Sequence, residues 1–425
     1  MNKSAGLLLV LVFLTASCYI TPLYASAEPE TIIVPDDYGT IQAAVDRAFP
    51  GDTVLVKTGK YELSEGQILV INKSISLVGE DPNNTVITLH PRLIEPSLPF
   101  ALPSYEGSIK IEADDVQLSG FTINSTDGTG GCLFATEMRS HITGNILAVP
   151  LSLKGSDNNV SLNLVRQVIG CYGSGNTISA NRIIGYGIVV MDTGSSLIQG
   201  NTITDCNAES AGYGVRLDVG GNAVFDNIIT NCTHAICILG ESSSNDIYNN
   251  TVTGNIGGLE IFGQGSNNAF HSNYVANNGY GVLVSYTFMR SPGENNTVYH
   301  NNFVGNTEQV DTGATYQGNY GAVVSTYHIG AFDDGKEGNY WSDYAGKDTD
   351  NDGIGDTPYV IDENRRDNFP LMSPFDIDNN RVAISSNTHS GSNFNLPAES
   401  IAASVGAVVV VVAAGALVYF KKRKR

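Results

Sequence analysis

Apolar residues fall along this chain in short runs broken by Gly, Ser, Asn and Asp. From about residue 140 onward one line keeps returning: apolar, two spacers, Asn, one spacer, apolar. It is written as ITGNIL, VSLNLV, ISANRI, IQGNTI, VFDNII, IYNNTV, FHSNYV and VYHNNF, which sets Asn145, Asn163, Asn181, Asn201, Asn227, Asn250, Asn273 and Asn301 at equivalent positions. Their spacings are 18, 18, 20, 26, 23, 23 and 28 residues, the range in which internal repeats signal a stacked solenoid. β-Branched runs punctuated by turn residues, with no long amphipathic stretch, predict strands. A coil of this length accommodates three short strands and three turns, so the pattern predicts an all-β fold, a parallel β-helix. Adjacent coils in such a stack lie about 4.8 Å apart, close enough for inward asparagine amides to bond in a ladder.

After each asparagine turn comes a variable piece, an alternating strand such as GVRLD or GLEIFG, and then a segment of constant length: KGSDNNV, YGSGNTI, DTGSSLI, DVGGNAV, ESSSNDI, QGSNNAF. Constant and variable parts alternate around the coil, so insertions must leave on one side of the stack. Upstream, TIQAAVDRAFPGD offers a Thr40 cap and puts Ile41, Ala44, Val45 and Ala48 on one helical face. This short helix is expected to cover the open end of the core and its unpaired strand edges. DTVLVKTGKYEL and SISLVGED read as the first coils, and the proline-rich HPRLIEPSLPFALPSYEG as a loop leaving the stack. The expected organisation is a β-helix over 28–310, a C-terminal cap over 311–375 and a serine- and asparagine-rich stalk over 376–400.

The two ends change the picture of where the protein works. Residues 1–27 carry a lysine, an apolar run and the small-residue site ASA, which reads as a secretory signal peptide. A lipoprotein reading ending at Cys18 is the alternative. Residues 401–420 are uncharged and long enough to span a bilayer core of roughly 30 Å as a helix, and the KKRKR of 421–425 would hold the tail in the cytoplasm. The expected protein is therefore a single-pass membrane protein with residues 28–400 facing outward. Formal net charge is −20; that sign excludes nucleic acid as a natural partner. Beyond the expected signal peptide, seven sequons, at Asn72, Asn83, Asn124, Asn159, Asn231, Asn249 and Asn295, suit a secreted surface.

Equal offsets from the apolar anchor define columns down the stack. One column reads Lys154, Tyr172, Asp192, Asp218, Glu241, Gln264. Its three acids are candidate catalytic or cation-binding groups, with Arg216 the basic partner in reach; a solvated acidic stripe is the plain alternative. A second column reads Ser179, Gln199, Phe225, Tyr248, His271, Tyr299. Its rings, Phe225, Tyr248, His271 and Tyr299, are candidates for stacking on sugars, against a role in cross-strand stabilisation alone. DTDNDGIGD sets Asp348, Asp350, Asp352, the Ile354 carbonyl and Asp356 at the offsets with which a loop wraps calcium. A structural Ca2+ is the expected cofactor. Cys206 and Cys232, each five residues after a ladder asparagine, are spaced for a disulfide between neighbouring coils.

TIQAAVDRAFPGDTVLV, the asparagine-anchored repeats, HNNFVGNTEQV and above all GNYWSDYAGKDTDNDGIGDTPYVIDENRRDNFPLM resemble the NosD-type β-helix proteins of the pectate-lyase-like, carbohydrate-binding and sugar-hydrolase repeat superfamily. The resemblance covers residues 30 to 373. It implies a right-handed, single-stranded parallel β-helix, and the membrane-anchored form is similar to surface proteins common in archaea. Namesakes are linked to copper delivery for nitrous oxide reductase. Copper wants soft or imidazole donors, and this chain offers dispersed histidines with no His-x-His or Met-rich cluster, so copper is not expected. The expected function is binding of glycans or envelope proteins; a polysaccharide lyase or glycoside hydrolase, and a structural spacer, are the rivals.

Overall fold

A computed structural model describes residues 28–94, 104–126, 131–206, 212–285, 293–311 and 329–377. The expected signal peptide, the stalk beyond residue 377 and the expected membrane span lie outside these residues. Among the described residues, no helix is long and apolar enough to cross a membrane.

The described residues form three long parallel sheets of 13, 12 and 11 strands. Each coil contributes one strand to each sheet in turn. In one coil these are Asp246–Tyr248, Thr251–Thr253 and Gly257–Gly263, after which Ala269–His271 begins the next. This arrangement is consistent with the right-handed β-helix expected. The apolar residues of the repeat point inward and form one continuous core: Ile142, Val160, Ile178, Ile198, Val224, Ile247, Phe270 and Val298 stack along the first sheet, all fully buried.

The asparagine ladder is built as expected. Asn227 illustrates one rung: its Oδ1 accepts from the backbone N–H and the side-chain amide of Asn201, while its own amide donates to Ile198 O, Phe225 O and Asn250 Oδ1, all at 2.8–3.0 Å. The chain of bonds runs unbroken from Asn145 to Asn301. It is made possible by the residue before each asparagine, whose φ lies between 53° and 65° at Gly144, Leu162, Ala180, Gly200, Asp226, Asn249, Ser272 and His300. A left-handed residue turns the chain through a sharp corner and aims the next side chain inward. The same device operates at the other two corners. Asn222, Asn245, Asn268 and Asn296 form a second ladder, and Asn255, Asn278 and Asn306 a third. The line ESSSNDIYNNTVTGN therefore places one asparagine at each corner of the coil: Asn245, Asn250 and Asn255.

Both ends of the stack are closed. The helix Ile41–Arg47 is capped by Thr40, whose hydroxyl accepts from Ala43 N, and it buries Ile41, Ala44 and Val45. Lys73 Nζ donates to the carbonyls of Val45, Asp46 and Ala48 at the other end of that helix, satisfying groups the helix leaves open. The opposite boundary corrects the expected domain limit of 310. First-sheet strand Ile329–Ala331 and second-sheet strand Tyr340–Trp341 continue the stack, because Asn339 takes a ninth ladder position above Asn301. There the ladder ends on a carboxylate: Asp367 Oδ2 accepts from Asn339 N at 2.7 Å and Trp341 Nε1 at 2.9 Å. Trp341 is stacked between Phe303 and Tyr359, which seals the core.

Candidate functional site

Outward positions of the third sheet carry the chemistry. Strand register aligns Lys110, Phe134, Ser152, Gly170, Val189, Arg216, Cys237 and Glu260 in one row across successive coils. A parallel row places Tyr213, His234, Gly257 and Tyr280 in order. The last coils of these rows converge on Glu260, whose side chain is fully buried although it stands on the outer face.

Glu260 is held by two neighbours. His234 Nδ1 lies 2.8 and 3.0 Å from its two oxygens, and the Tyr280 hydroxyl donates to Oε1 at 2.9 Å. Gly257 supplies the space. A Cβ there would stand 1.8 Å from Glu260 Oε1 and 2.5 Å from the Tyr280 hydroxyl, so only glycine leaves the notch that the carboxylate fills. Burial raises the Glu260 pKa, opposed by the bonds from His234 and Tyr280. The Cys237 thiol beside it is pushed well above its ordinary range by the same burial, which keeps it protonated and unreactive.

His234 retains about a quarter of its exposure. With Nδ1 engaged by a carboxylate, its Nε2 is the nitrogen left to face a ligand, the arrangement that prepares an imidazole for proton transfer. Tyr213 stacks on the imidazole at 4.9 Å between centroids, and the Arg216 guanidinium lies 5.4 Å from the centre of the Tyr213 ring. Arg216 is fixed in place by a two-pronged pair with Asp218, both contacts 2.7 Å. Burial raises the Tyr213 pKa, so the phenol carries its proton at neutral pH. A base, a phenol donor and a guanidinium thus line one patch of sheet.

The acidic column does not survive the strand register. Leu217 pairs with Ile238, whereas Ala223 pairs with Asp246. Two extra residues in the later coil put Leu239, and not Glu241, over Asp218. Asp192 is likewise displaced: Val190 pairs with Leu217, so Met191 stands opposite Asp218. Asp192 and Glu241 are exposed, both at the corner between the third and first sheets but two coils apart. Asp218 and Arg216 are the two members of that proposal the structure brings together.

The aromatic column is real, and its geometry changes its meaning. Phe225, Tyr248, His271 and Tyr299 stack on one another at 4.9, 5.3 and 5.2 Å, within 17° of parallel. Each inner ring therefore spends both faces on its neighbours, leaving edges to solvent. His271 is also tied to Asp246 at 3.0 Å. This is a reinforcing ladder on the first sheet, and the expected row of free sugar-binding faces is absent from it.

In the DTDNDGIGD loop, carboxylate oxygens of Asp348, Asp350 and Asp356 come within 4.8 Å of one another. Asp352 is turned away and caps its own corner, accepting from Ile354 N at 2.8 Å. Gly353, at φ 90°, makes the sharp turn, and the negative charge of Asp352 raises the Asp350 pKa. The oxygens are hard donors of the kind calcium takes. Among the described residues this is the one grouping of three His, Cys, Asp or Glu donors. Cys206 and Cys232 are stacked as expected, at the corner where higher coils carry Asn255 and Asn278, and both are free thiols in the structure. Of the sequons, Asn249 is only 3% exposed, which closes it to a glycan.

Sequence reading missed Glu260, His234, Tyr213 and Tyr280 as a unit. The available signal was the glutamate in GLEIFG, a charge in an otherwise apolar and glycine strand, but strand lengths on the third sheet vary and give no fixed offset to a partner.

No curated protein matches the chain. Among solved structures, a PL6 family polysaccharide lyase from Pseudopedobacter saltans superposes with a TM-score of 0.50 at 14% identity, over 75% of this chain and 88% of that one. An alginate lyase solved with a bound ligand gives 0.47 at 14% identity, over 65% and 71%. The likeness to the Pseudopedobacter saltans structure is one of fold. The family described as "Periplasmic copper-binding protein (NosD)" matches residues 152–346, less than half of the chain, and that segment, wound as a parallel β-helix, is similar to the family.

Proposed function

We propose that the chain is a carbohydrate-active surface protein that cleaves an acidic polysaccharide by β-elimination at the third-sheet patch. The observation that carries this reading is the buried Glu260 holding Nδ1 of the partly exposed His234. In the proposed step, His234 Nε2 takes the proton α to a uronate carboxylate. Electrons move to form the C4–C5 double bond as the C4–O bond breaks, and the Tyr213 hydroxyl protonates the departing oxygen. Arg216 offsets the charge that builds on the carboxylate during proton removal. The occurrence of the fold in a polysaccharide lyase supports the reading at the level of architecture only.

In the same proposal, residues 401–420 and the basic tail tether the protein to a membrane with the β-helix outside, and a structural calcium closes the Asp348–Asp356 loop. The test is a screen of uronate polymers with the full chain, reading the absorbance of the new double bond. Depolymerisation that disappears in His234→Gln supports the assignment; a parent protein that retains such polymers intact would make this a binding protein.

A further inference from the structure

The third-sheet face carries a second feature well away from His234. A cavity of about 360 Å³ is lined by Lys110, Lys154, Glu112, Phe134, Ser108 and Thr136, with Ile68 at its edge. Two lysines in one cavity are out of character for a chain of net charge −20. Neither lysine forms an ion pair with a carboxylate among the described residues, a state shared by other lysines of the chain such as Lys60 and Lys347; what distinguishes these two is that they line one cavity. Lys154 instead lies over the Phe134 ring, 5.2 Å from its centre. One carboxylate, Glu112, faces the two cations, so the cavity keeps a net positive charge. Ser108 and Thr136 add neutral hydrogen-bonding groups. Cations left unpaired beside a partly exposed ring and two hydroxyls are suited to an anionic sugar, with charge, hydrogen bonds and an apolar surface each engaged.

We propose that this cavity is a distal subsite for an acidic sugar unit of the same polymer whose cleavage is assigned above to His234, an inference that rests on that reading for the polymer but on its own residues for the site. The row from Ser152 through Gly170, Val189 and Arg216 to Cys237 crosses four coil steps, about 19 Å at ~4.8 Å per step. Lys154 lies two residues beyond Ser152 along the strand direction and His234 three before Cys237, an offset of about 17 Å along the strands, so the two sites share one face roughly 25 Å apart. A disaccharide does not bridge this distance; a longer chain does. The protein therefore selects polymers over short fragments, and the selection resides in Lys110 and Lys154.

The experiment is calorimetric titration of the full chain with a panel of oligouronates, each as dimer and octamer, and with a neutral octamer of glucose as control. It compares the parent, Lys110→Gln/Lys154→Gln and His234→Gln. The expected result is that at least one uronate octamer binds the parent in a salt-sensitive manner, that the double lysine variant weakens it by about tenfold or more, and that His234→Gln retains it. The excess of octamer over dimer affinity should shrink in the double lysine variant and persist in His234→Gln. Thermal unfolding of the double variant at the parent's temperature keeps misfolding from imitating the effect. Equal octamer binding by the parent and the double lysine variant, or a parent that binds no uronate octamer, would overturn the subsite. Retained lysine-dependent binding in a protein that cleaves no uronate polymer would sink the elimination reading and leave the subsite standing.

Discussion

The carboxylate of Glu260, with no exposure of its own, lies 2.8 Å from Nδ1 of His234, whose ring is still open to solvent. Taking a carboxylate out of water costs several kcal/mol unless its oxygens are bonded. Here that cost is offset by His234 and Tyr280, and Gly257 leaves the room for it. The pair is the feature around which the functional reading is organised.

The ladders should dominate stability. Asn227→Leu removes an acceptor used by two donors of Asn201 and leaves the carbonyls of Ile198 and Phe225 without the amide. At 1–3 kcal/mol per stranded buried group, the loss should be about 3 kcal/mol or more. Exposed Asn83 changed to Leu should cost under about 0.5 kcal/mol. Chemical denaturation of both variants checks this; equal midpoints would contradict the ladder's role.

Leu162 occupies a left-handed corner at φ 59° with its side chain 39% exposed. A β-carbon in that region costs roughly 1–2 kcal/mol, which glycine avoids at some entropic cost of its own. Leu162→Gly is therefore expected to raise stability by about 0.5–1 kcal/mol, measured by the same denaturation. A drop in the midpoint would mean that Leu162 packs against something it needs.

Asp367, which ends the main ladder, has its pKa raised from 3.8 to about 6 by burial, against the bonds it accepts from Asn339, Trp341 and Phe369. The folded state then binds more protons than the unfolded one between those values. The stability from this group is present in full below about pH 3.8 and is lost as pH rises through about 6, a change on the order of 3 kcal/mol. Asp367→Asn should flatten this part of the stability profile, as followed by Trp341 fluorescence during denaturation. An identical pH slope in the variant would assign the effect elsewhere.

Calcium should tighten the cap. Asp348, Asp350 and Asp356 face one another, and a cation bound only in the folded state stabilises it by mass action. Chelation is expected to lower the melting temperature and expose the 338–372 segment to protease before the coils are cut. Asp350→Asn with Asp356→Asn should make chelation ineffective. No calcium heat on titration, with an unchanged melting curve, would reduce the loop to an acidic turn.

Much of this architecture is legible in the chain because its determinants are local. Thr40 caps the helix it was expected to cap, and Asn145 through Asn301 recur with apolar residues at fixed offsets. Asn339 is hidden in the sequence because a long insertion after Asp311 breaks the spacing, and the second and third ladders because their asparagines stand at the other two corners of the coil, where the flanking apolar pattern is less regular. The acidic column failed for a different reason. A single offset was carried through corners whose lengths differ by one or two residues, and any slip moves a side chain to a new neighbour. The Glu260 site is the hardest case. His234, Gly257, Glu260 and Tyr280 belong to three successive coils, and nothing in a lone glutamate shows that it will be buried.

The most direct measurement is steady-state cleavage of a uronate polymer by the full chain and by Glu260→Gln. Removing the carboxylate that orients His234 should lower kcat by roughly 10²–10⁴-fold, as expected for loss of a positioned proton-transfer group, while KM and the melting temperature stay close to those of the parent. Cleavage at the parent's rate in Glu260→Gln, in a protein of unchanged stability, would contradict a proton-transfer role for the His234–Glu260 pair.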